Sequence, residues 1–472
     1  MSDRNNDKSQ HIAIIGTGSG AFAAAIKATE NGAKVSIIEG ADVIGGTCVN
    51  IGCVPSKIMI RGAHIAHMQN HHSFAGIELN KANINRREMV AQQQSLVEKL
   101  RHLKYESIIE NNENIELLRG KAHFKDENTL VIVQKNNQSY ELKADKFLLA
   151  VGARAMIPEI NRLSDTPYWT STDALIAEEI PEKLIVLGGS VIALELAQAF
   201  SQLGSSVTIM ARSTLLSKED KDVGEKIKNI LQEEGVDVQL NTVPDSVIHN
   251  ENGFIVTTEK GEFVANKLLV ATGRKSNADT LNLNNAGVEK NANGDIIISD
   301  YMQTTAKHIY AAGDCTSQPQ FVYVAAAAGT RAARNMTGEN VALDLSVVPE
   351  VVFTAPQIAT VGLSEKEAKA EGLSVNSKTL DLENVPRALA NMDTRGFIKL
   401  IAEKESGRIV GCQIVASEAG EVIQTAALAI VNQTTIEDLA NQLFPYLTMV
   451  EGLKLCAQTF NKDVSQLSCC AG

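Results

Sequence analysis

The stretch HIAIIGTGSGAFAAAIKATENGAKVSIIEG, residues 11–40, decides the fold of this chain. A short β-branched run leads into closely spaced glycines, an alanine-rich helical segment and a second apolar strand that ends in an acidic residue. This order is typical of a dinucleotide-binding unit, in which the glycine turn and the helix N-terminus hold a pyrophosphate and the acid binds a ribose. The predicted cofactor contacts are Gly16, Gly18, Gly20, Ala21 and Glu39.

The same pattern recurs in KLIVLGGSVIALELAQAFSQLGSSVTIMAR, residues 183–212, where the first glycine stands 172 positions after Gly16. Ala211 takes the place of the terminal acid, and an arginine follows it. An arginine without a neighbouring acid accommodates the 2′-phosphate of NADPH, so we predict NADPH at this unit and FAD at the first. The candidate NADPH contacts are Gly188, Ser190, Ala193, Arg212 and Lys218. A solvated surface lysine is an equally good interpretation of Lys218.

Later landmarks complete a three-domain plan. The apolar runs FLLAVGAR and LLVATGR close the two units, and from about Val347 strand-like and helical patterns alternate. We therefore predict an α/β fold with two Rossmann-like domains, for FAD and NADPH, and a C-terminal α+β dimerisation domain. The predicted boundaries are a polar leader at 1–10, FAD-binding parts at 11–165 and 291–346, an NADPH-binding domain at 166–290 and an interface domain at 347–472.

Composition excludes several classes of function. The chain has 44 basic and 56 acidic side chains and a net charge of −12, which argues against nucleic acid or an anionic membrane surface as the main partner. Its polar start does not resemble a signal peptide, and its most apolar run, residues 184–200, is too short and too polar to span a bilayer. We expect a cytoplasmic protein, in which the seven cysteines are not structural disulfides.

The segment GGTCVNIGCVPSK, residues 45–57, contains Cys48 and Cys53 with four residues between them. On a helix this spacing leaves the two sulfurs on neighbouring turns, close enough for a disulfide that opens and closes. A zinc site needs further ligands that no nearby Cys–His pair supplies, and we interpret His64 and His67 as surface or flanking residues. A redox-active dithiol is the better interpretation.

With GTGSGA before it and AAGDC after it, this segment resembles the class I flavoprotein disulfide reductases. The resemblance implies a homodimer in which each subunit holds FAD, NADPH and a disulfide stacked against the flavin. It implies that Cys53 touches the flavin and that the more exposed Cys48 meets the substrate. It also implies an ion pair of Lys57 with Glu195 near the flavin N5, and Glu195 needs a partner if its apolar helix is buried. The implied FAD contacts are Thr47, Lys57, Ala122, Asp314 and Val322.

The segment FPYLTMVEG, residues 444–452, departs from the disulfide-reducing members of that family. Those members resemble one another in a His-Pro…Glu motif, but here Tyr446 stands where the histidine belongs, while Glu451 is retained. Losing that general acid costs a disulfide reductase about 10²–10⁴-fold in rate. The last six residues, LSCCAG, contain Cys469 and Cys470, an adjacent pair suited to collecting a soft, thiophilic cation.

The cysteine tail, the tyrosine and the segment LFPYLTMVEGLKL together resemble the mercury-reducing branch of the family. This resemblance implies reduction of Hg(II) to volatile Hg(0), with the metal ion taken from small thiols. The ion would pass from Cys469 and Cys470 of the partner subunit to Cys48 and Cys53, so these four residues are the predicted metal ligands. Many members of the branch carry an N-terminal heavy-metal domain, and we expect the catalytic core without it.

The same resemblance places Tyr105 at the metal-binding cavity together with Tyr446, although ordinary helix packing also explains Tyr105. Two other functions stay open. One is a large-class thioredoxin-type disulfide reductase, some of which also end in a cysteine pair, and Tyr446 weakens it. The other is a thiol-based metal-binding protein on a degenerate reductase fold, which the intact glycine motifs weaken.

Overall fold

The computed structural model describes residues 9–466 and divides into two compact units. The first unit comprises residues 9–56, 90–156 and 273–344, and the second comprises residues 57–89, 157–272 and 345–466. The domain boundaries predicted above stay predictions.

The strands contain mainly β-branched and other apolar residues. In chain order they are β1 (His11–Ile15), β2 (Lys34–Glu39), β3 (Ile115–Arg119), β4 (Lys121–Asp126), β5 (Thr129–Val133), β6 (Ser139–Lys143), β7 (Lys146–Leu149), β8 (Ala153–Ala155), β9 (Lys183–Leu187), β10 (Ser206–Met210), β11 (Asp237–Gln239), β12 (Pro244–Asn250), β13 (Gly253–Thr258), β14 (Gly261–Ala265), β15 (Lys267–Val270), β16 (Arg274–Ser276), β17 (Ile309–Ala311), β18 (Glu350–Val352), β19 (Gln357–Gly362), β20 (Val375–Asp381), β21 (Phe397–Glu403) and β22 (Ile409–Ala416).

The α-helices are mostly amphipathic or alanine-rich. They are α1 (Ser19–Glu30), α2 (Gly46–Ile51), α3 (Cys53–Met68), α4 (Arg86–Arg101), α5 (Ser107–Glu110), α6 (Ser171–Ile176), α7 (Val191–Gln202), α8 (Lys221–Glu233), α9 (Val322–Met336), α10 (Glu365–Ala370), α11 (Pro386–Ala390), α12 (Ala419–Val431), α13 (Ile436–Asn441) and α14 (Glu451–Gln458). A π-helical turn, His102–Glu106, joins α4 to α5.

The first unit is built on a parallel sheet in the order β17-β7-β1-β2-β3. Its central strands are buried, as expected of a parallel sheet covered on both faces. The antiparallel sheet β4-β5-β6 and the pair β8-β16 complete the unit. Strand β1 leads through the first glycine turn into α1, whose small side chains pack in the core with those of α9. The predicted strand–turn–helix–strand order of residues 11–40 is confirmed.

The second unit contains a parallel sheet in the order β11-β10-β9-β15 and an antiparallel sheet β12-β13-β14. Strand β9 leads into α7, which repeats the arrangement of β1 and α1. A five-stranded antiparallel sheet, β18-β19-β22-β21-β20, follows near the C-terminus, and α12 and α14 share its hydrophobic core. The predicted fold class, two Rossmann-like repeats followed by an α+β region, is confirmed. Between residues 9 and 466 no helix is long and apolar enough to cross a membrane.

A stability measurement on two glycines checks the first turn. Gly16 has φ +109° and a Cβ on it would lie 2.3 Å from the carbonyl oxygen of Ala150, whereas Gly32 has φ +86° and no atom within 4 Å of such a Cβ. We expect Gly16→Ala to cost about 2–5 kcal/mol, because strain and overlap combine, and Gly32→Ala only about 1–2 kcal/mol. Urea unfolding of the full chain measures both, and equal losses would contradict the close approach at Gly16.

Candidate redox and dinucleotide sites

The first glycine turn forms a cradle that fits a dinucleotide. No atom lies within 4 Å of a Cβ built on Gly18, so the backbone at the start of α1 is open to a close ligand. The carboxylate of Glu39 accepts a hydrogen bond from the Thr17 hydroxyl and one from the backbone N–H of Ala41 at 2.8 Å. Open backbone at a helix N-terminus suits a pyrophosphate, and an oriented carboxylate suits a ribose. The turn therefore fits the pyrophosphate and ribose of a dinucleotide.

Packing explains the other small residues of this turn. A Cβ on Gly20 would lie 2.9 Å from the carbonyl oxygen of Ala325 on α9, and Ala21 is fully buried. Thr17, which the sequence analysis did not single out, is also buried and bonds to Glu39. The only indication of Thr17 in the sequence was the presence of a hydroxyl residue between two glycines of the motif.

The redox segment is not one continuous helix, and our expectation on this point was wrong. Cys48 lies in the middle of α2, the backbone breaks at Gly52 (φ −132°, ψ −112°), and Cys53 is the first residue of α3. The break follows from local chemistry, since glycine tolerates this conformation and Pro55 fits only the first turn of a helix. In the chain alone Cys53 is exposed and Cys48 half-buried, the reverse of the order expected when a flavin covers Cys53.

The start of α2 packs directly on the first glycine turn. A Cβ on Gly46 would lie 2.6 Å from the Cα of Gly18, and the backbone N–H of Gly45 donates to the Thr17 hydroxyl at 3.2 Å. The side-chain amide of Asn50 donates to two carbonyl oxygens of the same segment, at 2.8 and 2.9 Å. These contacts place the half-buried Thr47 and the thiol of α2 beside the cradle described above.

Tyr105 lies at the redox segment. It belongs to the π-helical turn, its phenol oxygen is 3.3 Å from the hydroxyl oxygen of Ser19, and its ring meets Phe22 edge-on with centroids 4.9 Å apart. Burial raises the pKa of Tyr105, the bond to Ser19 lowers it, and the nearby Cys48 and Cys53 raise it further. The net effect is a raised pKa, so this phenol keeps its proton at neutral pH. The contacts of Ser19 and Phe22 with Tyr105 were not predicted, because no local sequence pattern connects these residues.

Three further predicted FAD contacts belong to the first unit. Asp314 is half-buried just after β17, Ala122 is buried on β4, and Val322 is the exposed first residue of α9. Burial raises the pKa of Asp314, while the guanidinium of Arg274, 3.4 Å away, acts in the opposite direction. Arg274 ends the run LLVATGR, whose sequence did not indicate this contact.

The second unit contains an ion pair in which one partner is buried. The ammonium of Lys57 lies 2.8 Å from a carboxylate oxygen of Glu195, which is only 4% exposed on α7. The other oxygen of Glu195 accepts the backbone N–H of Phe353 at 2.9 Å, and Lys57 lies 4.7 Å from the centre of the Phe353 ring. The predicted pair is therefore present, and its role at the flavin stays a prediction. No sequence signal indicated Phe353.

The second glycine turn repeats the geometry of the first. Gly188 has φ +132°, and a Cβ on it would lie 2.2 Å from the carbonyl oxygen of Ala271. Ala193 is fully buried in α7, and the exposed Ser190 precedes that helix. After β10, the residue in place of the acid is buried and Arg212 is exposed. This turn fits a dinucleotide, and the exposed guanidinium suits a 2′-phosphate.

Two carboxylates, those of Glu219 and Glu350, lie near Lys218. The Lys218 side chain is exposed. Burial, followed by the like charge of Glu350, raises the pKa of Glu219 to about 7, although a hydrogen bond with Thr360 opposes the rise. Burial also raises the pKa of Glu350, against the attraction of Lys218. Lys218 therefore interacts with an acidic neighbour as well as being open to solvent.

The C-terminal residues are placed only in part. Tyr446 is 55% exposed, and the retained Glu451 is buried at the start of α14, where its carboxylate accepts the backbone N–H of Leu447 at 3.2 Å. The predicted metal ligands Cys469 and Cys470 lie outside the described residues. Within residues 9–466 no group of three or more His, Cys, Asp or Glu side chains could hold a metal ion.

Two family patterns match nearly the whole chain. That of the pyridine nucleotide-disulphide oxidoreductases matches residues 10–329, and that of their dimerisation domain matches residues 348–457. The chain belongs to this oxidoreductase family. The family prediction is thereby confirmed, membership implies a flavin and a pyridine nucleotide, and the dimerisation domain supports a homodimer.

Curated relatives of this oxidoreductase identify the branch. The mercuric reductase of Shewanella putrefaciens is 54% identical over 471 residues, which is 100% of this chain and 85% of the relative. The mercuric reductase of Shigella flexneri is 57% identical over 467 residues, 98% of this chain and 83% of the relative. The mercuric reductase of Bacillus cereus is 43% identical over 480 residues, which is 100% of this chain and 74% of the relative. The predicted resemblance to the mercury-reducing branch is confirmed.

Solved structures show the same fold. The HOCl-induced flavoprotein disulfide reductase RclA from Escherichia coli superposes with a TM-score of 0.85 at 29% identity, covering 95% of this chain and 99% of that one. LpdA from Mycobacterium tuberculosis gives a TM-score of 0.85 at 26% identity, covering 96% and 100%. Both likenesses extend over almost the entire chain.

The raised pKa of Glu219 predicts a pH-dependent stability. Its pKa in the folded chain, about 7, lies above the ordinary value of 4.5, so ionisation costs more in the folded than in the unfolded chain. The free energy of unfolding should therefore fall as the pH rises from about 4.5 to above 7. We expect Glu219→Gln to be more stable than the wild type by about 1–3 kcal/mol at about pH 8 and nearly equal to it at about pH 5.

Urea unfolding at the two pH values measures this difference. The matched control is Glu225→Gln, which changes an exposed glutamate of α8 and should show no such pH dependence. A gain in stability that is the same at both pH values would contradict the raised pKa of Glu219.

Proposed function

We propose that this oxidoreductase reduces Hg(II) to Hg(0), with NADPH as reductant and FAD as the bound flavin. The observation that carries the proposal is the position of the Cys48–Cys53 segment, which packs on the first glycine turn and lies beside Tyr105. The mercuric reductases that match the full chain support it, and so does Tyr446 at the position of the proton-donating histidine of disulfide reductases.

The cofactors are assigned by the chemistry of the two turns. FAD would be held by Gly16, Gly18, Gly20, Ala21, Glu39, Thr47, Lys57, Ala122, Asp314 and Val322. NADPH would be held by Gly188, Ser190, Ala193, Arg212 and Lys218. Once bound, FAD supplies two-electron chemistry between the nicotinamide and the metal ion.

The metal ion moves by thiolate exchange. Hg(II) enters as a complex with small thiols and is taken by Cys469 and Cys470 of the partner subunit. It then passes to Cys48 and Cys53, and in each exchange one Hg–S bond forms as another breaks, so no bare ion is released. In the balance, NADPH and Hg(II) give NADP⁺, Hg(0) and a proton. The neutral metal atom has little affinity for thiolates and leaves.

The residues around the thiols control charge and protons. The half-buried phenol of Tyr105 keeps its proton because its pKa is raised, so it can donate a hydrogen bond to a thiolate or to a ligand of the metal. The ammonium of Lys57 is fixed by Glu195, whose second oxygen is held by a backbone N–H. This arrangement holds one positive charge in a defined place for the hydride-transfer step.

The assembly and location follow from the same scheme. A tail that serves the other subunit requires a homodimer with shared active sites, and the dimerisation domain supports this arrangement. NADPH and reduced small thiols are cytoplasmic, so we place the enzyme in the cytoplasm. Its role is mercury detoxification, because the product is volatile and leaves the cell.

The direct test measures NADPH oxidation by the purified full chain with excess small thiol and either Hg²⁺ or an oxidised disulfide. We expect oxidation that depends on Hg²⁺ and releases mercury vapour, and a loss of more than about 100-fold in Cys48→Ser, which lacks one thiolate of the pair. Oxidation with the disulfide alone would instead identify a disulfide reductase. Stoichiometric Hg²⁺ binding without turnover would identify a metal-binding protein.

The C-terminal relay has its own test. The Cys469→Ala/Cys470→Ala double variant should lose turnover of thiol-bound Hg(II) by more than about 10-fold, because the first exchange partners are gone. Reduction of the flavin by NADPH, measured in a stopped-flow instrument, should fall far less. The neighbouring Ser468→Ala variant is the matched control. An equal loss in both measurements would refute the relay.

A further inference from the structure

The first residue of α1 makes a contact that a dinucleotide motif does not require. The hydroxyl of Ser19 lies 3.3 Å from the phenol oxygen of Tyr105, which is 86 positions away in sequence. The glycine motif is defined by its glycines and by the helix N-terminus, and no side chain is needed at this position. The contact therefore links the proposed FAD turn to the tyrosine that lies beside the thiols.

Two packing contacts hold the same ring. Phe22 meets Tyr105 at an interplanar angle of 88°, an arrangement that aromatic pairs favour. Ser19 and Phe22 are three residues apart on α1 and so lie on one face of that helix. On the other side, a Cβ on Gly45 would lie 3.3 Å from a carbon of the Tyr105 ring. The ring is thus held between α1 and the residue that precedes α2.

The backbone that carries Tyr105 is also anchored to the redox segment. The residues His102–Glu106 form a π-helical turn, closed by the backbone N–H of Ser107 donating to the carbonyl of His102. Such turns within α-helices are frequent at functional sites because they change the direction of a side chain. Just before the turn, Arg101 donates to the side-chain oxygen of Asn50 on α2 at 3.1 Å. The Arg101–Asn50 hydrogen bond therefore connects the end of α4 to α2. The Ser19–Tyr105 hydrogen bond connects the π-helical turn to α1.

We propose that Ser19 is a positioning residue, whose hydroxyl, with the ring of Phe22, orients the phenol of Tyr105 toward the Cys48–Cys53 pair that receives the metal ion. This inference rests on the proposed function and deepens it. The packing of Phe22 and Gly45 restricts the ring plane but does not choose where the phenol hydrogen points. When the Ser19 hydroxyl donates to the phenol oxygen, which is the direction that lowers the pKa of Tyr105, the phenol hydrogen is left to point toward the thiols.

A double-mutant cycle tests the proposal in the full-length protein. Ser19→Ala should lower kcat/KM for thiol-bound Hg(II) by about 2- to 10-fold, the effect of losing one neutral hydrogen bond. In the Tyr105→Phe background the same substitution should cause no further loss, since the phenol it orients is absent. Thr29→Ala, which removes a hydroxyl bonded to the Ile26 carbonyl on the same helix, is the matched control. Bound FAD is measured in every variant.

A second measurement needs no mercury. The ultraviolet titration of the wild type minus that of Tyr105→Phe isolates the ionisation of this phenol among the seven tyrosines. The Ser19 bond lowers the pKa of Tyr105, so Ser19→Ala should raise it. Thr29→Ala should leave it unchanged.

The outcomes separate this inference from the proposed function. An unshifted phenol titration in Ser19→Ala, an equal loss of turnover in both backgrounds, or a loss that follows FAD content would each overturn the positioning role. A wild type without Hg²⁺-dependent oxidation would refute the proposed function. In that case the titration still decides whether Ser19 controls the phenol of Tyr105.

Discussion

The contact of two backbones, at Gly18 and Gly46, is the constraint on which the candidate site depends. A Cβ on Gly46 would lie 2.6 Å from the Cα of Gly18, so the start of α2 has no room for a side chain at this point. The helix with Cys48 is therefore held directly beside the proposed FAD cradle. Thr17 strengthens this arrangement, because its hydroxyl donates to Glu39 and accepts from the backbone of the redox segment. One buried hydroxyl thus joins the acid proposed to bind the ribose to the segment that bears the thiols.

Glu195 is a buried charge that requires partners within the second unit. A carboxylate that is 4% exposed loses most of its hydration, and an ion pair with Lys57 at 2.8 Å recovers only part of that free energy. Apolar residues of similar size would fill the same space at lower cost. The backbone N–H of Phe353 and the ring of the same residue complete the set of partners. Removal of Lys57 would leave the buried carboxylate of Glu195 without its charged partner, so the two residues depend on each other.

The sequence analysis succeeded where the chemistry is local. The strand–turn–helix order at both glycine motifs and the need of Glu195 for a partner depend on neighbouring residues or on one helix face. It failed where distant segments meet, because no periodicity records such a contact. Ser19 meets Tyr105 across 86 positions and Glu195 meets Phe353 across 158. The break at Gly52 was missed for another reason, since the spacing of two cysteines does not show whether one helix or two carry them.

Glu451 is a motif residue that is retained although its histidine partner is replaced. The family resemblance implies that in disulfide-reducing members this glutamate orients a histidine. In this chain Tyr446 stands at the position of that histidine. In this chain the buried carboxylate of Glu451, the first residue of α14, accepts the backbone N–H of Leu447. Reduction of a disulfide must deliver a proton to a departing thiolate, whereas thiolate exchange on Hg(II) passes the metal from sulfur to sulfur. A site built for the second reaction can therefore dispense with the histidine while keeping the glutamate as a helix-terminal acceptor.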